Sequence, residues 1–302
     1  MFKLNHWIRS LVMLLVVCLP PGSNASGQNG SLQKSDLNPR GFEFNTLLQP
    51  ASFQDPETTR KQQPESQDDD DQASDEGFEL ESKSKIPEGL EVYMGRRIAR
   101  TMHYAGAEWL IRDRREREER CSLMLANLGV KPGMTICDMG CGNGFHSLPM
   151  AKMTGENGMV IGVDVQPEML GFLRERMEHQ GVENIIPILG SYHNPRLPSN
   201  SIDLLLMVDV YHEFSHPEQM LAAIRKSLKA DGLVVLVEYR EEDKNVPIKP
   251  LHKMSKAQVS KELEANGFKL AKEFDKLPWQ HMMFFGKTEN GPSRNGAGPD
   301  LQ

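Results

Sequence analysis

Three groups of residues have side chains and spacing that could do chemistry. The first is Thr135-Ile136-Cys137-Asp138-Met139-Gly140-Cys141-Gly142-Asn143-Gly144-Phe145, an apolar run that ends in an acid and enters alternating glycines. Glycine accepts positive φ and lets a ligand approach the backbone, and the helical pattern from His146 to Met153 sets free N–H groups behind the turn. A nucleotide cofactor with polar or anionic groups fits such a corner. A dinucleotide fingerprint does not: G-x-G-x-x-G counted from Gly140 needs glycine where Phe145 stands. The second group is Asp164, which closes the apolar run Met159-Val160-Ile161-Gly162-Val163. The third is Asp209-Val210-Tyr211-His212-Glu213-Phe214, which puts an imidazole beside a carboxylate directly after the apolar run Ile202 to Val208.

These groups need elements to position them. From the glycine turn onward the pattern alternates: Met159 to Asp164, a helix Pro167 to Gln180, Asn184 to Leu189, Ile202 to Val208, a helix from about Pro217 to Leu228, and Leu233 to Glu238. Such alternation predicts a mostly parallel sheet with helices on both faces, and ligands then sit at the carboxyl ends of the strands. Asp138, Asp164, Ser191 and Asp209 all fall at such ends, so the separate motifs predict one pocket. Ser255 to Asn266 reads as a further helix, followed by strands Lys269 to Phe274 and Gln280 to Phe285.

Asp138-x-Gly140-x-Gly142-x-Gly144 with Asp164 at the end of the next strand resembles class I S-adenosylmethionine (SAM) dependent methyltransferases, of the bacterial, small-molecule, methyltransferase type 11/25-like kind. The resemblance runs from roughly Arg120 to Lys287. It implies a Rossmann-like three-layer α/β/α fold whose mostly parallel seven-stranded sheet ends in an antiparallel last strand. It also implies a cofactor site made of Asp138, Gly140, Cys141, Gly142 and Gly144 in the turn, Asp164 and Val165 at the ribose, Ser191 and Tyr192 near adenine, and Asp209. Many relatives have an acid where Ser191 stands; a hydroxyl can still accept the adenine amino hydrogen bond. The loop of Tyr211, His212 and Glu213 looks like the family's acceptor side. His212 is the leading general base, since an ordinary imidazole accepts a proton at neutral pH. Tyr239, Arg240, His252, Lys253, Trp279, Gln280 and His281 are further candidates for the acceptor pocket, and Tyr104 or Trp109 for a lid.

The function implied is methyl transfer from SAM to a small-molecule acceptor by in-line displacement. Two alternatives belong to other classes. One is a non-catalytic exported protein that keeps the fold as a ligand-binding module. The other is a zinc hydrolase, because His212-Glu213-Phe214-Ser215-His216 spells H-E-x-x-H. That signature needs both histidines on one continuous helix, and Pro217 turns His216 away from the α region. No metal is therefore expected.

The 302 residues carry a net charge of −7, which gives no reason to expect nucleic acid. Lys3 and Arg9 precede the apolar run Leu11 to Leu19, followed by Ser23-Asn24-Ala25, the layout of a signal peptide over residues 1–25. Residues 26–85, with Asp68-Asp69-Asp70-Asp71, read as a disordered acidic linker. Residues 86–287 form the catalytic domain, with a helical lid over 86–128, and residues 288–302 read as a disordered tail. The mixed charges of Arg112 to Arg120 suit an exposed helix face. The N-terminus predicts export to the periplasm or a membrane tether, whereas free Cys121, Cys137 and Cys141 and a SAM site suit the cytoplasm. The acceptor atom and the oligomeric state are not encoded in these patterns.

Overall fold

The computed structural model describes residues 87–289 and 291; the expected signal peptide, the acidic linker and nearly all of the expected tail lie outside them. Among the described residues no helix is long and apolar enough to cross a membrane.

The centre is a sheet built from β3 (Thr135–Met139), β4 (Met159–Asp164), β5 (Ile185–Leu189), β6 (Ile202–Val208), β7 (Leu228–Arg240), β9 (Phe268–Phe274) and β10 (Gln280–Lys287), in the order β5-β4-β3-β6-β7-β10-β9. The two-residue β8 (Lys253–Met254) pairs with β7 as an eighth strand. Neighbours are parallel except around β10, which runs antiparallel to both β7 and β9. The chain therefore has the expected mostly parallel sheet with helices on both faces and a reversed last strand.

Alternation along the strands divides the core. Cys137, Met139, Ile161, Leu205, Met207, Val234 and Leu236 pack on one face against α5 (Pro217–Ser227) and α6 (Lys256–Ala265), through Leu221, Ile224, Val259 and Leu263. Ile136, Val160, Leu204, Leu206, Val235 and Val237 pack on the other against α2 (Cys121–Asn127), α3 (Ser147–Thr154) and α4 (Pro167–Gln180). Strands covered on both faces are near-continuous in apolar residues, which is why these runs were legible. α4 begins at Pro167, which needs no N–H partner in the first turn, and stops at Gly181 in the left-handed conformation.

The segment before α2 differs from the expected helical lid. It opens with a hairpin, β1 (Val92–Tyr93) and β2 (Arg96–Arg97), turned by Met94 and Gly95, both at positive φ. A 3-10 helix Tyr104–Ile111 and the five-residue α1 (Arg115–Glu119) follow, and α1 ends at Arg120 with φ 52°. The charged run faces water on one side only, through Asp113, Arg114, Arg117 and Arg120. Arg115 and Glu119 are buried and bonded to each other at 2.8 Å, and Arg112 reaches both Glu118 and Glu119. Buried ions hold each other only with close hydrogen bonds, so the Arg112, Arg115 and Glu119 side of this run is structural, while Asp113, Arg114, Arg117 and Arg120 are exposed. The three described cysteines are free and buried.

Candidate functional site

The carboxyl ends of β3, β4, β5 and β6 open into a cavity of about 500 Å³. Of the residues expected to hold a cofactor, Gly140, Gly142, Asp164, Val165, Ser191, Tyr192 and Asp209 line it. Asp138, Cys141 and Gly144 do not; they build the turn from behind. Asp138 is buried, and its Oδ2 accepts from the Ser147 hydroxyl at 2.5 Å, tying β3 to the first residue of α3. Burial pushes its carboxyl up to about 6, against the Ser147 bond. The Cys141 N–H donates to the carbonyl of Val163, and its thiol is pushed well up by burial. At Gly144, φ is +79° and an added Cβ would lie 2.4 Å from Leu173 Cδ1, so this glycine lets α4 pack close to the turn.

Gly142 is held in the wall itself. Its N–H donates to Asp164 Oδ2 at 2.9 Å, and the Gln166 N–H donates to Oδ1 at 2.9 Å, so Asp164 fixes the turn and the start of α4 while facing the cavity. Gln166 also accepts from the Tyr104 N–H at 2.8 Å and donates to the Met102 carbonyl at 2.9 Å, which fastens the preceding segment across the opening. Met102, Trp109 and Leu110 line the cavity from that side, and the Arg112 guanidinium lies 3.8 Å over the Trp109 ring. Tyr104 is outside the lining.

Asp209 sits at φ 54°, a left-handed conformation unusual for a residue with a side chain. Its Oδ2 accepts from Gln280 Nε2 at 2.7 Å, while Oδ1 is buried and has no partner among the described residues. Burial, with Glu119 and Glu238 nearby, raises its proton affinity well above that of an ordinary carboxylate.

On the opposite wall, His212 and Glu213 belong to the 3-10 turn Tyr211–Glu213. His212 Nδ1 lies 2.7 Å from Glu238 Oε2, and Glu238 Oε1 accepts from the Tyr211 N–H at 3.0 Å. A carboxylate there holds the proton on Nδ1 and leaves Nε2 as the lone-pair nitrogen. Nε2 lies 3.1 Å from His252 Nδ1 and 4.0 Å from Glu213 Oε1. Burial lowers the proton affinity of His212, but the charge and hydrogen bond of Glu238 outweigh it and leave the imidazole above its ordinary value. Burial pushes the Glu213 carboxyl up to about 7, although His212 opposes this. His252 is lowered, by burial and by His212.

Tyr211 is elsewhere. It is fully buried behind the wall, edge-on to Phe214 with the Arg96 guanidinium 5.6 Å from its ring, and does not line the cavity. Tyr239 and His252 line it, while Arg240, Lys253, Trp279, Gln280 and His281 do not. For the H-E-x-x-H spelling, the geometry separates the two histidines, as the position of Pro217 predicts. His212 is in the 3-10 turn, whereas His216 precedes α5 and bonds through Nε2 to the Pro87 carbonyl at 2.9 Å. The two histidines do not share a helix.

His216 is one end of a clamp. The Leu90 N–H donates to the Ser215 carbonyl at 2.8 Å, and the Ala99 N–H and Arg96 Nη1 donate to the His212 carbonyl at 3.0 and 2.9 Å. Arg96 in turn grips Glu262 of α6 with two bonds of 2.8 and 3.0 Å. Sequence reasoning missed Glu238, Gln166 and Arg96. Glu238 gave a signal, a lone acid ending the otherwise apolar run Leu233 to Val237. Arg96 gave none, since its partner is 166 residues away.

The chain matches a family described as a methyltransferase domain over residues 130–286. It is 29% identical over 115 residues to a ubiquinone/menaquinone biosynthesis C-methyltransferase of Cupriavidus taiwanensis, covering 38% of this chain and 47% of that protein. It is 28% identical over 116 residues to a protein-L-isoaspartate O-methyltransferase of Methanococcoides burtonii, covering 38% of this chain and 54% of that one. The chain thus spans about half the length of these curated relatives. Among solved structures, a SAM dependent methyltransferase from Aquifex aeolicus superposes with a TM-score of 0.58 at 24% identity, over 61% of this chain and 98% of that one. That likeness is one of fold.

Proposed function

The chain belongs to the methyltransferase domain family, with S-adenosyl-L-methionine as its cofactor, and from that premise we propose that it methylates a small-molecule acceptor held against His212. The residues suit the cofactor on their own geometry. Asp209 Oδ1 is buried at the cavity wall without a partner among the described residues, a demand that a polar group of a ligand would satisfy. Asp164 spends one bond per carboxylate oxygen on the turn, which leaves lone pairs for ribose hydroxyls. Apolar Met139, Val163, Val208 and Met169 line the space between them, and Ser191 and Tyr192 stand at the end where the adenine belongs.

When bound, the cofactor supplies a methyl group activated by a positively charged sulfur, open to direct displacement. The protein's tasks are to align a nucleophile at about 3–3.5 Å, take its proton and exclude water. His212 Nε2 takes the proton once the acceptor displaces the His252 N–H that donates to it, and Glu238 holds the ring and stabilises the imidazolium through Nδ1. Met102, Leu110 and Phe214 give the cavity wall apolar side chains, which disfavour water there. The observation that carries this reading is that one cavity joins the glycine turn to the His212–Glu238 pair. The relatives named above methylate carbon and oxygen respectively, so the acceptor atom is left open. Export or membrane tethering through residues 1–25 belongs to the same proposal and rests on the apolar run Leu11 to Leu19.

The test is calorimetric titration of the full chain with SAM and with S-adenosylhomocysteine. Both should bind in the micromolar range, and His212→Ala should keep that affinity while lowering turnover about 10²–10⁴-fold once an acceptor is found. A folded chain that binds neither would overturn the reading.

A further inference from the structure

His212, Glu213 and His252 bring one donor atom each within 4.8 Å of one another at the cavity wall. We propose that these three side chains bind a divalent transition-metal ion of the zinc class, and that the ion competes with the proton for His212 Nε2. The spacing supports it. Two imidazole nitrogens that share an ion at about 2.0–2.1 Å stand about 3.0–3.4 Å apart, and His212 Nε2 and His252 Nδ1 are 3.1 Å apart. Glu213 Oε1 lies 4.0 Å from Nε2 and accepts from the Met102 N–H at 3.2 Å, so it completes the set by moving closer and exchanging that bond for the ion.

The surroundings supply a second, independent feature. Ligating histidines commonly donate their other ring N–H to a carboxylate, which fixes the tautomer and strengthens the ligand. Glu238, with no exposure, accepts from His212 Nδ1 at 2.7 Å and does that here. Two imidazoles and one carboxylate favour zinc, nickel or copper over magnesium, and three protein ligands leave a position open toward the cavity. The protons balance. In the ion-free protein His252 Nδ1–H donates to His212 Nε2; on binding, that proton moves to His252 Nε2, both facing nitrogens present lone pairs, and any proton on Glu213 or His212 Nε2 is released to solvent. The site differs from the H-E-x-x-H spelling, whose second histidine is engaged with Pro87.

The binding stands on the geometry alone; its consequence rests on the methyl-transfer reading above. A lone pair given to the ion cannot accept the acceptor's proton, so zinc inhibits transfer and a chelator restores it.

Full-length protein stripped of metal is titrated calorimetrically with zinc chloride and with magnesium chloride, and the bound zinc is counted by elemental analysis. One zinc per chain at micromolar affinity or tighter is expected, with no comparable magnesium binding. His252→Ala should weaken zinc at least tenfold and Glu238→Gln by about 10–100-fold, while exposed His179→Ala leaves it unchanged. Zinc binding that His252→Ala does not affect, as adventitious capture by the Asp68–Asp71 run would give, overturns the proposal, as does the absence of binding. SAM titrated into the same zinc-free protein keeps the two readings apart. SAM binding without zinc binding defeats only this inference, and zinc binding without SAM binding defeats only the methyl-transfer reading.

Discussion

Removing Arg96 should cost more than any surface charge on this chain. Its guanidinium binds Glu262 with two parallel bonds of 2.8 and 3.0 Å, the Glu262 side chain has no exposure, and a third N–H holds the His212 carbonyl. In Arg96→Ala the Glu262 carboxylate stays buried with Gln258 Nε2, 2.7 Å away, as its remaining side-chain donor. An uncompensated buried charge of this kind costs about 3–5 kcal/mol. With a urea dependence of about 2 kcal/mol per molar, the unfolding midpoint falls by about 2 M. The cost lies in stranding the carboxylate, so Arg96→Met combined with Glu262→Leu should return to within about 1 kcal/mol of the parent. Urea unfolding of Arg96→Met, Glu262→Leu and the pair, with Arg96→Ala beside them, followed by fluorescence, measures the coupling. A single-variant loss below 1 kcal/mol, or a pair that costs the sum of its singles, would refute the reasoning, because a stranded charge cannot be additive with removal of that same charge.

Gly142→Val should abolish SAM binding, read by calorimetry: at φ +53° an added Cβ would meet Leu110 Cδ1 at 2.6 Å, and a β-branched residue is strained there. Asp164→Ala should bind SAM more weakly, and survival of affinity in both would refute the site. Asp138→Asn should stabilise the fold by about 1–3 kcal/mol at pH 8 and not at pH 3.5. The folded carboxyl titrates near 6 against 3.8 unfolded, so the native state holds the extra proton between those values and stability falls as pH rises through them. Urea melts at the two pH values decide this.

The alternation of β4, α4, β6 and α5 was legible because each strand is covered on both faces and each of the two helices opens on a proline. The glycine corner was legible because Gly142 and Gly144 answer to backbone geometry, which local sequence encodes. The segment before α2 was not, since its charges look solvated until Arg115 and Glu119 find each other in the interior. Pocket membership failed in the same way. Asp138 and Tyr211 adjoin chemistry in sequence, yet strand alternation and the 3-10 turn send them behind the wall. His252 came to His212 through a loop after β7, a meeting 40 residues apart that no local pattern carries.

The clamp from residues 87–99 to the His212 turn also bears on when this protein is finished. Arg96 is made early, but Glu262 follows 166 residues later. At roughly 5–20 residues per second that interval is on the order of 10–30 s of synthesis. Until then the turn holding His212 can bond to residues 87–99, but those residues lack the brace that Arg96 makes to α6. The His212 side therefore closes late, and until it does a chaperone can act on it and a truncated product stays open there.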